Sequence, residues 1–292
     1  MHAHLVIGLQ GPVLTAEERR WLREQPPRGV ILFARNIEQP EQLMALLDAV
    51  RDCAGQEIWA VVDEEGGRVN RIPWPPFNQR KSAAAYGALY QSDPAAAMRA
   101  VYEDAHETGM ALKSLGFTHN CAPVLDVFHA GGHEIIGERA YAFDARVVAE
   151  LGAACMQGLQ AAGIAAVGKH FPGHGRANAD SHVEVPRVAA GLDTLLIEAE
   201  PFHALIRQGL THVMTAHVIY TDVGEQLATF SSFWVQEILG RRFGFTGHIW
   251  SDDLCMKGAG GDIVRAAKRA LGAGCDVLLL CEPAAVRSIY EA

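Results

Sequence analysis

Short apolar runs alternate with longer helical patterns along the whole chain, and that rhythm leaves few folds open. The runs fall at residues 4–9, 29–33, 58–62, 118–125, 165–170, 212–217, 247–251 and 276–281, and each is short enough for a strand buried on both faces. Between them the apolar residues recur at helical spacing. Leu43, Leu46, Leu47 and Val50 share one face, as do Val147, Leu151, Cys155 and Leu159. Strand followed by helix, repeated through 292 residues, predicts parallel βα units, and eight of them predict a single (β/α)8 barrel domain spanning residues 1–292. The final run leaves little chain behind it, so the eighth helix is expected to be incomplete.

Polar groups stand where these runs end: Asp63-Glu64-Glu65 after the third, Asp126 after the fourth, Lys169-His170 after the fifth, His217 after the sixth, Asp252-Asp253 after the seventh and Glu282 after the eighth. Barrel enzymes gather their chemistry at that rim. The densest cluster is Lys169-His170-Phe171-Pro172-Gly173-His174-Gly175, followed by Asp180-Ser181-His182. Glycine and proline release the backbone from the strand, and Asp180, two residues from His182, can fix the imidazole tautomer for proton transfer near neutral pH.

Successive strand side chains alternate in direction, so only one of Asp252 and Asp253 is expected to face the barrel mouth, and either could instead cap the next turn. A carboxylate at the mouth suits a nucleophile, a base or a metal ligand. After the third run, Asp63 and Arg71 suit charge-assisted hydrogen bonds to sugar hydroxyls or amides. Arg68 has Glu64 or Glu65 as structural partners within reach, and Arg139 has Glu138. The apolar loop 73–77, with its own aromatics, suits the lining of a cleft.

Three readings use these residues. His170, His174, His182, Asp126 and Asp252 are a possible metal set; Lys169 is a possible Schiff base; a non-catalytic sugar-binding barrel needs only Asp63, Arg71 and Lys169. No H-x-H pair supports the first, and a lysine beside acidic neighbours stays paired and charged, against the second.

Net charge is −9 with no basic cluster beyond Arg241-Arg242, which argues against a nucleic-acid partner. No run approaches the roughly 18 apolar residues of a membrane span. The six cysteines are scattered without a C-x-x-C pair and read as buried thiols of a cytoplasmic protein.

With these residues in view, the chain resembles the family 3 glycoside hydrolases, in particular their single-domain bacterial β-N-acetylhexosaminidases of cell-wall recycling. The resemblance rests on Asp63-x-Glu65-Gly66-Gly67-Arg68-Val69-x-Arg71, Ala122-Pro123-Val124-Leu125-Asp126-Val127, Ile136-Gly137-x-Arg139, the segment from Lys169 to Gly175, Asp180-Ser181-His182, Pro201-Phe202, Thr215-Ala216-His217 and Ser251-Asp252-Asp253-Leu254. It implies Asp252 as nucleophile, His182 as acid/base with Asp180 as its partner, and Asp63, Arg71, Arg139, Lys169 and His170 around the terminal N-acetylglucosamine. His174, Ser181, Asp126 and His217 take supporting places. It implies a small carbohydrate substrate, an N-acetylglucosaminyl muropeptide, with no cofactor, no metal and a monomeric enzyme. Two positions depart from the family pattern: Glu64 stands where relatives often carry a neutral polar residue or histidine, and Cys255 where serine is common.

Overall fold

The computed structural model describes residues 1–292 except 56, 178 and 180–184. Eight strands run parallel in one sheet: β1 (Leu5–Gly8), β2 (Gly29–Leu32), β3 (Trp59–Val62), β4 (His119–Asn120), β5 (Ala165–Phe171), β6 (His212–Thr215), β7 (His248–Trp250) and β8 (Leu278–Leu280). β8 pairs with β1, Leu5 opposite Leu278, and the ring closes where Ser251 N–H donates to the Val277 carbonyl at 2.8 Å and Val277 N–H to Ile249 at 3.1 Å. The (β/α)8 barrel expected from the rhythm is the observed fold.

Side-chain alternation divides each strand between two cores. Val6, Ile31, Val61, Cys121, Val167, Met214, Trp250, Val277 and Leu279 fill the barrel interior. Their neighbours Leu5, Ile7, Val30, Leu32, Ala60 and Val62 pack outward under the helices. The helix faces read from periodicity are buried as expected in Pro40–Ala54 and Ala145–Ala161.

Two expectations are corrected. The fourth strand is shorter than 118–125, because Pro123 has no N–H for the ladder; pairing beyond it survives as an isolated bridge between Val124 and Lys169. The loop 73–77 does not line the cleft: Phe77 is buried in the outer core and Trp74 packs against it, so its aromatics are structural. The last residues fold as a helix, Pro283–Tyr290, against β1 and β8. A small ladder, Arg187–Val188 beside Ile219–Tyr220, went unread, being only two residues on each side. All six cysteines are free; Cys121, Cys155 and Cys275 are buried, while Cys53, Cys255 and Cys281 are half-buried.

The N-terminal mouth is plugged by rings from the first residues of several strands. Trp59 lies 4.4 Å from His119 and 5.5 Å from Trp250 between ring centroids, and His119 and His212 meet edge to face at 4.8 Å. Trp250 Nε1 donates to His212 Nδ1 at 3.2 Å. Burial, followed by neighbouring imidazoles, lowers His119 to about 3 and His212 to about 4, so both are neutral at pH 7.

Candidate active site

The opposite mouth holds a cleft of about 330 Å³, within the size range of small-ligand sites, and its floor is built from strand ends. β3 delivers Asp63 and then Glu65 across a tight turn. Gly66 and Gly67 both take positive φ there, and an added Cβ on Gly66 would lie 2.6 Å from the Lys81 carbonyl. β5 delivers Lys169 and His170. The loop after β4 brings Arg139, and the end of β7 brings Asp252.

Lys169, only 3% exposed, is clamped between two carboxylates: its Nζ donates to Asp63 Oδ1 at 2.7 Å and lies 2.6 Å from Glu65 Oε1. Arg139 then grips Glu65 bidentately, Nε to Oε2 at 2.7 Å and Nη2 to Oε1 at 2.8 Å. Burial by itself would raise both carboxyls. The adjacent cations win: Arg139 and Lys169 hold Glu65, and Lys169 and Arg71 hold Asp63, below the ordinary carboxylate range. Burial likewise disfavours the Lys169 ammonium, but Asp63 and Glu65 push it above its ordinary value. A lysine held charged in this way is the opposite of the desolvated amine that a Schiff base requires. Arg71 completes the rim, its Nη2 3.6 Å from Asp63 Oδ2 and its guanidinium over the Phe33 ring at 5.7 Å.

His170 is set by Asp126. The Asp126 carboxylate accepts from His170 Nδ1 at 2.8 Å and from the backbone N–H groups of His170 at 3.2 Å and His174 at 2.7 Å. Although burial opposes it, His170 and these neighbours hold the Asp126 carboxyl below its usual value. Its oxygens are turned to these inward donors, so Asp126 braces the loop behind His170, which lines the cleft. His174, against the His170 ring at 5.8 Å, is lowered to about 4 by burial and then by His170.

Asp252 and Asp253 both border the cleft, where strand alternation predicted only one, and they have different tasks. Asp253 Oδ1 accepts from the N–H groups of Cys255 and Cys281, each at 3.0 Å, tying β7 to β8. The capping role foreseen for one of the pair therefore falls to Asp253, with a cross-strand tie added. Asp253 N–H donates to Asp252 Oδ1 at 2.8 Å. Behind them His217 is buried, and burial lowers its pKa. A carbonyl can only accept, so His217 Nε2 carries the proton donated to the Asp253 carbonyl at 3.1 Å, and Nδ1 accepts from the Thr229 hydroxyl at 2.8 Å.

Asp252, Asp63, Arg71, Arg139, Lys169, His170 and His174 thus line one cleft, with Asp126 and His217 behind it. Asp180, Ser181 and His182 lie outside the described residues. Sequence reasoning passed over Glu65, the hub of the ion pairs, and gave Arg139 and Arg68 the wrong partners. Arg139 binds Glu65 rather than Glu138, and Arg68 Nη2 donates to the carbonyls of Glu134 at 2.5 Å and Ile135 at 2.8 Å. Those bonds hold Ile135 and Ile136 as an apolar wall of the cleft. The signal for Glu65 was its place in the same strand-end run as Asp63.

The sequence pattern of the glycosyl hydrolase family 3 N terminal domain matches residues 7–292. The chain belongs to that family. As a family 3 glycoside hydrolase it is 44% identical over 282 residues to the beta-hexosaminidase of Bordetella pertussis, covering 96% of this chain and 80% of that protein. It is 40% identical over 280 residues to the beta-hexosaminidase of Methylobacillus flagellatus, covering 95% and 80%. Its fold superposes on NagZ from Neisseria gonorrhoeae in complex with N-trifluoroacetyl-D-glucosamine with a TM-score of 0.92 at 34% identity, covering 99% of this chain and 85% of that one.

Proposed function

We propose that this glycosidase is a retaining exo-β-N-acetylglucosaminidase that removes terminal β-1,4-linked N-acetylglucosamine from muropeptides, including anhydro-muropeptides, during cytoplasmic cell-wall recycling. Asp252 attacks the anomeric carbon while His182, partnered by Asp180, protonates the leaving oxygen. The same imidazole, now neutral, activates the water that releases the sugar and regenerates the carboxylate. Asp63, Arg71, Arg139, Lys169 and His170 hold the sugar. In Asp63 and Lys169 they offer an acceptor and a donor already fixed by ion pairs, so little ordering is left to substrate binding.

The observation that carries the reading is the position of Asp252 in a cleft whose opposite wall is this network of paired ions. The relatives named beta-hexosaminidase and the N-trifluoroacetyl-D-glucosamine complex of NagZ point to the same sugar. Six free thiols agree with a reducing compartment.

The test is to inactivate the enzyme with a fluorinated N-acetylglucosaminyl donor, digest it and locate the adduct by mass spectrometry. The adduct is expected on Asp252, and NMR of the first-formed product should show the β anomer. An adduct elsewhere, or an α product, rejects the mechanism.

A further inference from the structure

Glu64 is the one carboxyl of the Asp63-Glu64-Glu65 run that the chemistry above leaves without a task, and it is wholly buried. Its main chain is fixed from two sides. Glu64 N–H donates to Asn120 Oδ1 at 2.9 Å, while its carbonyl accepts from Asn120 Nδ2 at 2.8 Å and from Arg80 Nη1 at 2.7 Å. From this anchored base the side chain reaches across the turn. Its Oε1 accepts the adjacent backbone N–H groups of Arg71 and Ile72, both at 2.7 Å. Its Oε2 is buried with no hydrogen-bond partner among the described residues.

The outgoing arm of that turn carries Asp63 and Glu65, and the returning arm carries Arg71. Near the tip the arms are joined by the main chain of Val69, which bonds with Glu65 and Gly66 at 3.1–3.2 Å. At the base, the Glu64 carboxyl makes the connection. We propose that Glu64 is a positioning residue: by clasping the Arg71 and Ile72 amides it sets the Arg71 guanidinium against Asp63, and sugar binding consequently strengthens when this carboxyl ionises.

A carboxylate accepts from two amides more strongly than a neutral acid does, and it also attracts the two guanidiniums that face it, Arg71 on the turn and Arg80 behind it. Arg80 is itself paired with Asp104 at 2.9 Å, and Asp63 and Glu65 flank Glu64 in sequence. Burial raises the Glu64 carboxyl to about 7 in spite of the two amides and two cations. The change of charge therefore falls near neutrality. Protonation below neutrality loosens the clasp and releases the returning arm.

The inference rests on the reading of Asp63 and Arg71 as sugar ligands, and the variants separate the two. Binding of N-acetylglucosamine is measured by titration calorimetry from pH 6 to pH 8 for the wild type, Glu64→Gln, Glu64→Leu and Asp63→Ala, with kcat and KM on a chromogenic N-acetylglucosaminide alongside. Wild-type affinity is expected to fall about three- to tenfold from pH 8 to pH 6, and the Gln variant, which keeps an acceptor oxygen but cannot ionise, to lose that dependence. The Leu variant is expected to bind about tenfold more weakly throughout, in KM more than in kcat. A Gln variant that follows the wild-type pH course overturns the proposal, and does so even if the Leu variant fails to fold. A folded Leu variant with wild-type affinity overturns it equally. Wild-type affinity in Asp63→Ala instead overturns the reading of the cleft beneath it.

Discussion

At the C-terminal mouth of the barrel the floor of the cleft is built on ions held in pairs. Lys169 sits between Asp63 and Glu65, and Arg139 closes on Glu65. At the N-terminal mouth stand neutral rings: His119 and His212 pack among Trp59, Trp250 and His248, with no carboxylate among their ring partners in the described residues. Burial opposes charge at both ends. It succeeds below, where the imidazoles meet rings, one another, the Thr118 hydroxyl and the Arg28 guanidinium, and fails at the ion pairs above, where each charge faces an opposite one within hydrogen-bonding distance. One barrel thus carries a mouth poised for polar recognition and a mouth sealed by apolar contact. The difference comes from which side chains the strand ends present, since the backbone frame is shared.

The largest expected effect lies at the charged mouth. Asp252→Asn should lower kcat by about 10⁴-fold or more while the circular-dichroism spectrum and melting curve stay unchanged. Activity near wild type would remove the nucleophile and with it the functional side of the contrast. Lys169→Met is next. It leaves Asp63 and Glu65 facing each other with one cation fewer, and should cost about 3–5 kcal/mol in urea unfolding at pH 7 along with a loss of sugar binding. If the variant is as stable as the wild type, the network is not held together by its charges.

The neutral mouth predicts the reverse pattern. The double substitution His119→Phe, His212→Gln should leave kcat/KM at pH 7 within about twofold, because the plug lies at the far end from the cleft. Unfolded imidazoles take up protons near pH 6.5, whereas the folded ones resist until about 3 and 4, so the wild type keeps this contribution above pH 6.5 and loses it as the pH falls toward 4. At pH 4.5 the double variant should therefore recover about 1–3 kcal/mol relative to the wild type, compared with the difference at pH 7. Parallel acid-unfolding curves would show that the rings carry no such linkage.

Glu64 sharpens the comparison from the charged side, as a carboxyl that burial nearly keeps neutral. It binds its proton more tightly folded than unfolded, so its contribution is present below pH 4.5 and is lost as pH rises toward 7. Glu64→Gln should thus gain about 1–2 kcal/mol on the wild type between pH 5 and pH 8. An unchanged gap across that interval would place the carboxyl in a more polar setting than its burial indicates.

Much of this was legible in the chain. The eight runs, their helical intervals and the polar residues closing each run locate the barrel and its working end, because those signals are local: a short apolar run, period 3.6 and a change of polarity. The cleft residues named from strand ends do converge, from Asp63 to Asp252. Partners were a different matter. Arg139 was matched to Glu138, next to it in sequence, yet it binds Glu65, 74 residues away, because the parallel pairing of β3 with β4 carries the β3 turn against the loop after β4. The same pairing holds Glu64 against Asn120 of β4, and tertiary packing draws loop 73–77 into the outer core.

What the sequence determined by itself was which residues stand at the end of which strand, since a strand's direction and alternation belong to a few consecutive residues. Which of those residues touch, which stay charged and which are forced toward neutrality were decided by the tertiary structure. A pKa and an ion pair depend on what lies within a few ångströms, and in a parallel barrel those neighbours come from strands separated by an entire helix.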